Sequence, residues 1–143
     1  MQSRQERNLA KQNAGSWAST GLEVLRTVDF DGTRLRRPGV YAVCFGATWC
    51  PPTRAFVPKF VARNGHVAAT LAMADITEWE DPLWDTFQIK ITPTMAIFRD
   101  GELVARFDGR RMIGLKDSDL DKLARAVDAL NKSPASAPSK PVE

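Results

Sequence analysis

The chain has 143 residues, 43% of them hydrophobic, which suits one domain able to bury about two-thirds of its unfolded surface and leaves little room for a second. No stretch approaches the roughly 20 apolar residues that span a bilayer, and 1 histidine with 2 cysteines excludes a His/Cys metal cluster or a disulfide framework within this chain, so no metal and no other cofactor is expected. A formal charge of +3 comes with basic clusters at Arg34, Arg36, Arg37 and at Arg110, Arg111; so few arginines read as a solvated face rather than a nucleic-acid interface.

Residues 1–16 are polar and aperiodic and lack the apolar run of a secretion signal, which makes the cytoplasm the default location. Residues 132–143, rich in Pro, Ser and Ala, read as a disordered tail, leaving the ordered domain at 17–131. Within it, Leu22 to Phe30 reads as a first strand ended by the turn dipeptide Asp31-Gly32. Tyr41 to Phe45 is continuously apolar, as in a central strand buried on both faces. Pro51 opens a helix to about Arg63: proline suits a first turn, Phe56, Val57, Phe60 and Val61 make one stripe, and Asn64-Gly65 can end it. Pro58 inside it predicts a kink.

Ala68 to Ile76 reads as another buried strand, and Asp81 to Phe87 as a short helix with Pro82 in its first turn. Met95 to Phe98 and Glu102 to Phe107 flank Asp100-Gly101, a strong hairpin signal. The last helix begins near Ser118, whose hydroxyl can cap it, and presents Leu120, Leu123, Ala124, Val127 and Leu130 on one face. Strands alternating with helices in this order point to an α/β domain, a mixed sheet sandwiched by helices. Trp17, Trp79, Trp84 and Met95 read as packing residues, and His66 as a turn residue rather than a catalytic base.

Chemistry concentrates in Ala47-Thr48-Trp49-Cys50-Pro51-Pro52-Thr53-Arg54. Cys50 stands between the end of a buried strand and the first turn of a helix, where unpaired N–H groups and the positive end of the dipole stabilise a thiolate. Pro51 and Pro52 have no N–H to offer the sulfur, which leaves Thr53 and Arg54 as donors. The Thr53 hydroxyl can hydrogen-bond a Cys50 thiolate and hold it charged; alternatively Thr53 is a tolerated small residue in the first turn.

Trp49-Cys50-Pro51-Pro52 resembles the W-C-x-x-C motif of the thioredoxin superfamily with its last position changed, and Pro58, 8 residues past the cysteine, resembles that family's helix proline. Ile91-Thr92-Pro93-Thr94 is similar to the family's cis-proline loop, 43 residues beyond Cys50, and Gly109 to the glycine flanking its substrate groove. The resemblance covers roughly residues 22 to 131 and implies the thioredoxin fold. It also implies a cis Thr92–Pro93 bond against Cys50, an extended substrate pairing along Thr92, and Trp49 shielding the sulfur and touching substrate. The alternative for an isolated Thr-Pro is an ordinary trans turn.

Departures from the family narrow the mechanism. With Thr53 in place of the second cysteine, a mixed disulfide at Cys50 has no internal resolving thiol. The family's buried acid corresponds to Cys44, 6 residues before Cys50, and its nearby lysine to Met73. Cys44 as a replacement resolving thiol is the alternative to a buried, inert residue.

Two functions are compatible with these residues. One is a monothiol oxidoreductase that forms mixed disulfides with protein thiols or a small thiol such as glutathione. The other is a redox-inactive binding or chaperone module using the same groove, with Arg110 and Arg111 near its rim. The motif and Asp29-Phe30-Asp31-Gly32 also resemble the exported thioredoxin-like reductases of cytochrome maturation, but the spacing from Cys50 to Pro93 leaves no room for their insertion, which favours the compact thioredoxin form.

Overall fold

The computed structural model describes residues 17–132. The tail expected over 1–16 and, apart from its first residue, the one expected over 132–143 lie outside the described residues; Lys132 closes a helix instead of opening a tail. In chain order the elements are β1 (Glu23–Leu25), β2 (Phe30–Asp31), β3 (Arg34–Leu35), β4 (Val40–Gly46), helix α1 (Pro51–Ala62), β5 (Thr70–Asp75), the helical turn α2 (Leu83–Thr86), β6 (Thr94–Arg99), β7 (Glu102–Phe107) and helix α3 (Asp117–Lys132). Among the described residues no helix is long and apolar enough to cross a membrane.

The apolar run of β4 places it at the centre of a five-stranded sheet ordered β1-β5-β4-β6-β7. It runs parallel to β5 and antiparallel to β6, so the sheet is mixed. Because side chains alternate along a strand, β4 feeds two cores. Ala42 and Cys44 pack with Phe56, Phe60, Leu120 and Leu123 beneath α1 and α3. Val43 and Phe45 join Phe30, Leu83, Phe87 and Phe98 on the other face, under α2 and the β2–β3 hairpin. There the rings of Phe30, Phe45, Phe87 and Phe98 lie 5.0 to 6.1 Å apart, tilted or edge-on, an arrangement favoured over face-to-face stacking.

The expected strand from Leu22 to Phe30 is broken. β1 ends at Leu25 and Thr27–Asp29 makes a single 3-10 turn. Asp29 is the cause: its carboxylate accepts the Arg26 N–H at 2.8 Å and is itself held by Arg37 at 2.8 Å, a local bond that competes with a strand ladder. Phe30–Asp31 then pairs back with Arg34–Leu35 around Gly32. The expected helix over Asp81 to Phe87 is reduced to Leu83–Thr86, with the Asp81 carboxylate accepting the Leu83 N–H at 2.9 Å. The Asp100-Gly101 hairpin forms with both residues at positive φ, 50° and 92°.

Helix α3 starts at Asp117, and the side chain that ties its start is Asp119, not Ser118. The Asp119 carboxylate accepts the Lys116 N–H at 2.8 Å and pairs with Arg110 at 2.8 Å. Burial pushes this carboxyl's pKa up, but Arg110 and the Lys116 N–H outweigh it and hold it below the usual range. A depressed pKa means stability that is present above the unfolded-state value and lost as pH falls through the folded one. Asp119→Ala is therefore expected to cost about 1–3 kcal/mol at neutral pH and less in acid, as read by denaturant unfolding at both pH values.

Arg34, Arg37 and Arg110 from the basic clusters are engaged in ion pairs with Glu102, with Glu23 and Asp29, and with Asp119.

Candidate functional site

At the end of β4, Gly46 carries no side chain because a Cβ there would lie 2.6 Å from Thr53 Cγ2; its carbonyl accepts the Trp17 indole N–H at 3.0 Å. The chain leaves the sheet through Ala47, Thr48 and Trp49, and the Cys50 N–H returns to the Ala47 carbonyl at 3.1 Å. Cys50 is the N-cap of α1 with extended backbone (φ −89°, ψ 116°), and Pro51 and Pro52 form the first turn. Prolines here cost nothing in hydrogen bonding, since first-turn amides have no partner inside a helix.

The consequence is a first turn with two amides. The Arg54 N–H bonds the Cys50 carbonyl at 3.0 Å and is not free for the sulfur, contrary to the expectation from sequence. The Thr53 N–H is left facing Cys50. The half-buried thiol donates to the Thr92 carbonyl at 3.5 Å. Burial pushes the Cys50 pKa up, but the Thr53 hydroxyl, the Thr92 side chain, the Thr53 N–H and the Arg54 charge together bring it below its ordinary value. Thr53 itself is fully buried, and its Oγ1 has no hydrogen-bond partner among the described residues.

The turn before β6 completes the site. Thr92–Pro93 is a cis peptide, both residues are buried, and the Thr92 carbonyl meets Cys50. Gly109 packs on this turn: any Cβ there would collide with the Pro93 carbonyl, and its N–H donates to Thr94 Oγ1 at 3.2 Å. The structure thus brings Cys50, Thr53, Thr92, Pro93 and Gly109 together, with Trp49 on one flank. Trp49 is 39% exposed, its indole N–H donating to the Thr77 carbonyl at 2.7 Å.

Cys44 is fully buried, and burial pushes its thiol far up. It is Met73's register partner across β4 and β5, so two apolar side chains adjoin where a charged pair would serve a second thiol. His66 lies in the exposed turn after α1, at the other end of the helix from Cys50. Among the described residues no group of three or more His, Cys, Asp or Glu side chains is placed to hold a metal ion.

Two features escaped the sequence. Gly114, at φ 73°, sits on both prolines of the site: a Cβ would be 3.0 Å from Pro52 Cβ and 3.1 Å from Pro93 Cδ. It closes a loop in which the Arg110 N–H bonds the Gly114 carbonyl at 2.9 Å, leaving Met112 and Ile113 exposed beside the site. The apolar pair before a glycine, among charged residues, was the available signal. The second is Trp79, expected to pack but 70% exposed and stacked on Trp49.

The thioredoxin family model matches residues 22–122. Among known proteins, the chain is similar to a thioredoxin of Chlamydia pneumoniae, 34% identical over 101 residues that cover 68% of this chain and 89% of that one. A probable protein disulfide-isomerase A4 of Caenorhabditis elegans is 32% identical over 91 residues, which are 64% of this chain and 14% of the relative. Among solved structures, thioredoxin f2 of Chlamydomonas reinhardtii shares the fold with a TM-score of 0.61 at 21% identity, covering 80% of this chain and 100% of the other. A thioredoxin variant from Halobacterium salinarum does so with a TM-score of 0.57 at 23% identity, over 73% and 88%. Since the matched span holds the central sheet, the helix opened by Cys50 and the Thr92–Pro93 turn alike, the chain belongs to the thioredoxin family.

Proposed function

We propose that this protein performs thiol–disulfide exchange through mixed disulfides at Cys50, with the resolving thiol supplied from outside. Family membership supports redox chemistry on protein thiols and disulfides in general. The single-thiol mechanism rests on this chain's own residues. The observation that carries it is the Thr53 hydroxyl, fully buried with no partner beside a thiol whose pKa is lowered. A buried unpaired hydroxyl is unfavourable, and an ionised Cys50 gives it an acceptor.

In the first step the Cys50 thiolate attacks one sulfur of a substrate disulfide; a Cys50–substrate disulfide forms and the other substrate sulfur leaves as a thiolate, which takes a proton from water. In the second, an external thiolate, from a protein or a small thiol such as glutathione, attacks the mixed disulfide and returns Cys50 as a thiolate. Thr53 and Arg54 stabilise the charge in both steps. Trp49, Thr92, Pro93 and Gly109 form the surface on which the substrate chain lies, its backbone pairing along Thr92.

The test is the rate of Cys50 alkylation against pH in a Cys44→Ala background. The midpoint is expected below the value of about 8.5 for free cysteine. Thr53→Val removes a hydrogen bond to the charged form alone, so it is expected to raise the midpoint by about one unit. Glutathione disulfide should add one glutathionyl group to the wild type and none to Cys50→Ser by intact mass. A midpoint at or above that of free cysteine, or the same adduct on Cys50→Ser, overturns the proposal.

A further inference from the structure

Trp79 occupies the loop Thr77-Glu78-Trp79-Glu80-Asp81 that follows β5. Its ring stacks on Trp49 with centroids 4.4 Å apart and planes 21° from parallel. Trp84 runs nearly parallel to both, 6.1 Å from Trp79 and 6.4 Å from Trp49. The loop and the two partner indoles are tied together: Trp49 donates to the Thr77 carbonyl at 2.7 Å, and Trp84 to those of Ile76 and Glu78 at 3.0 and 3.1 Å. Trp79 has Trp49 and Trp84 as ring neighbours in this tied loop, yet 70% of it faces solvent.

The surroundings decide what could cover the rest. Glu78 and Glu80, on either side of Trp79 in the chain, are exposed and make no ion pair among the described residues, in a chain whose formal charge is +3. An apolar occupant would strip water from these carboxylates and give nothing back. A cation gains both the negative face of the indole and the carboxylates, and an arginine can also stack flat on the ring. On the other flank of Cys50 the loop through Arg111, Met112 and Ile113 offers no acidic group, so a cation is favoured on one side of the sulfur only.

We propose that Trp79, stacked on Trp49 beside Cys50, is a cation–π platform that selects protein partners carrying an arginine or lysine next to the cysteine they exchange. This rests on exchange at Cys50 as proposed above, and it adds the class of partner. The long cationic side chain reaches across Trp49 to Trp79 while the neighbouring sulfur meets Cys50.

The experiment uses short peptides whose single cysteine is a disulfide with thionitrobenzoate, with arginine or norleucine on either side of that cysteine. The Cys50 thiolate attacks the peptide sulfur, the Cys50–peptide disulfide forms, and thionitrobenzoate leaves as the coloured thiolate, so its release gives the rate. In the wild type the arginine peptide is expected to react about five-fold faster than its norleucine counterpart in one of the two positions and not in the other. The ratio is read within each variant, so a general disturbance of the site cancels. Trp79→Leu, which keeps apolar bulk without a π-face, should bring it close to one; Trp79→Phe should keep part of it; Glu78→Gln with Glu80→Gln should lower it. Equal arginine and norleucine rates in the wild type, or an undiminished ratio in Trp79→Leu, overturn the platform.

The same peptides with S-methylated cysteine, titrated while the Trp79 indole resonance is followed, test it without any exchange step. About five-fold tighter binding of the arginine peptide supports it, and equal binding overturns it even where exchange succeeds.

Discussion

In the native protein Cys50 is expected to react with a thiol reagent at least about a thousand times faster than Cys44, because reagent reaches Cys44 only when the core opens. Cys44 is fully buried in β4, between β5 and β6 and under the apolar faces of α1 and α3. Its thiol is pushed up by that burial, so even an opened strand offers little thiolate at neutral pH. Cys50 lies at a helix start, half-buried, with its pKa lowered. Timed pulses of N-ethylmaleimide followed by peptide mass spectrometry give both rates in one sample, and denaturant should equalise them. Comparable native rates would mean that β4 is not the core strand described. The same measurement bears on resolution within the chain: a disulfide needs Cα atoms within about 7 Å and matching Cβ directions, and the Cys44 side chain points into the helix-covered core.

What was legible in the sequence was what local chemistry decides. An unbroken apolar run fixed β4, proline at the first helical position fixed the start of α1, and Asp100-Gly101 fixed the hairpin, because each signal acts on its own backbone. Tertiary partners decided the rest. Asp29 turned the end of an apparent strand into a 3-10 turn once Arg37 held it, and Asp119 displaced Ser118 at the start of α3 once Arg110 paired with it. Each arginine lies only 8 or 9 residues from its carboxylate, but outside the element concerned, so no helix or strand periodicity marks the pair.

The same division runs through the site. The resemblance of the Cys50 and Pro93 motifs to those of the thioredoxin superfamily implied their approach, and the Thr92 carbonyl does meet the sulfur. The commitment of the Arg54 N–H to the Cys50 carbonyl was not legible, since a motif names donors without saying which acceptor each will take. Trp79 departs from the expected packing for a related reason. A large aromatic is normally buried, and only the fold shows that the core under this loop is already filled by Ile76, Leu83 and Phe87, leaving Trp49 as the surface against which it can stack.

Replacing Thr53 with cysteine is expected to convert the protein into a turnover catalyst of disulfide reduction. Residues 50 and 53 face each other across the first turn of α1, and Thr53 is fully buried with its Cγ2 against Gly46, so Thr53→Cys trades a hydroxyl and a methyl for one sulfur without adding bulk. A second thiol held beside the mixed disulfide resolves it within the molecule, which raises its effective concentration far above that of a free thiol. Insulin reduction with dithiothreitol as electron source should rise at least about ten-fold over the wild type, which waits on external thiol for every cycle. The optimum should lie at higher pH than in a thioredoxin with a charged pair beneath its site, because Cys44 and Met73 offer no group to take the proton of the new thiol. Adding Cys44→Asp supplies that acceptor. In so apolar a place its carboxyl pKa rises toward neutrality, and it should pull the optimum back down at a cost in stability, checked by circular dichroism before the assay. A wild type that already turns over as fast as Thr53→Cys, and loses that activity in Cys44→Ser, would instead make Cys44 the resolving thiol, reached through an opening of the β4 core that the labelling rates would also report.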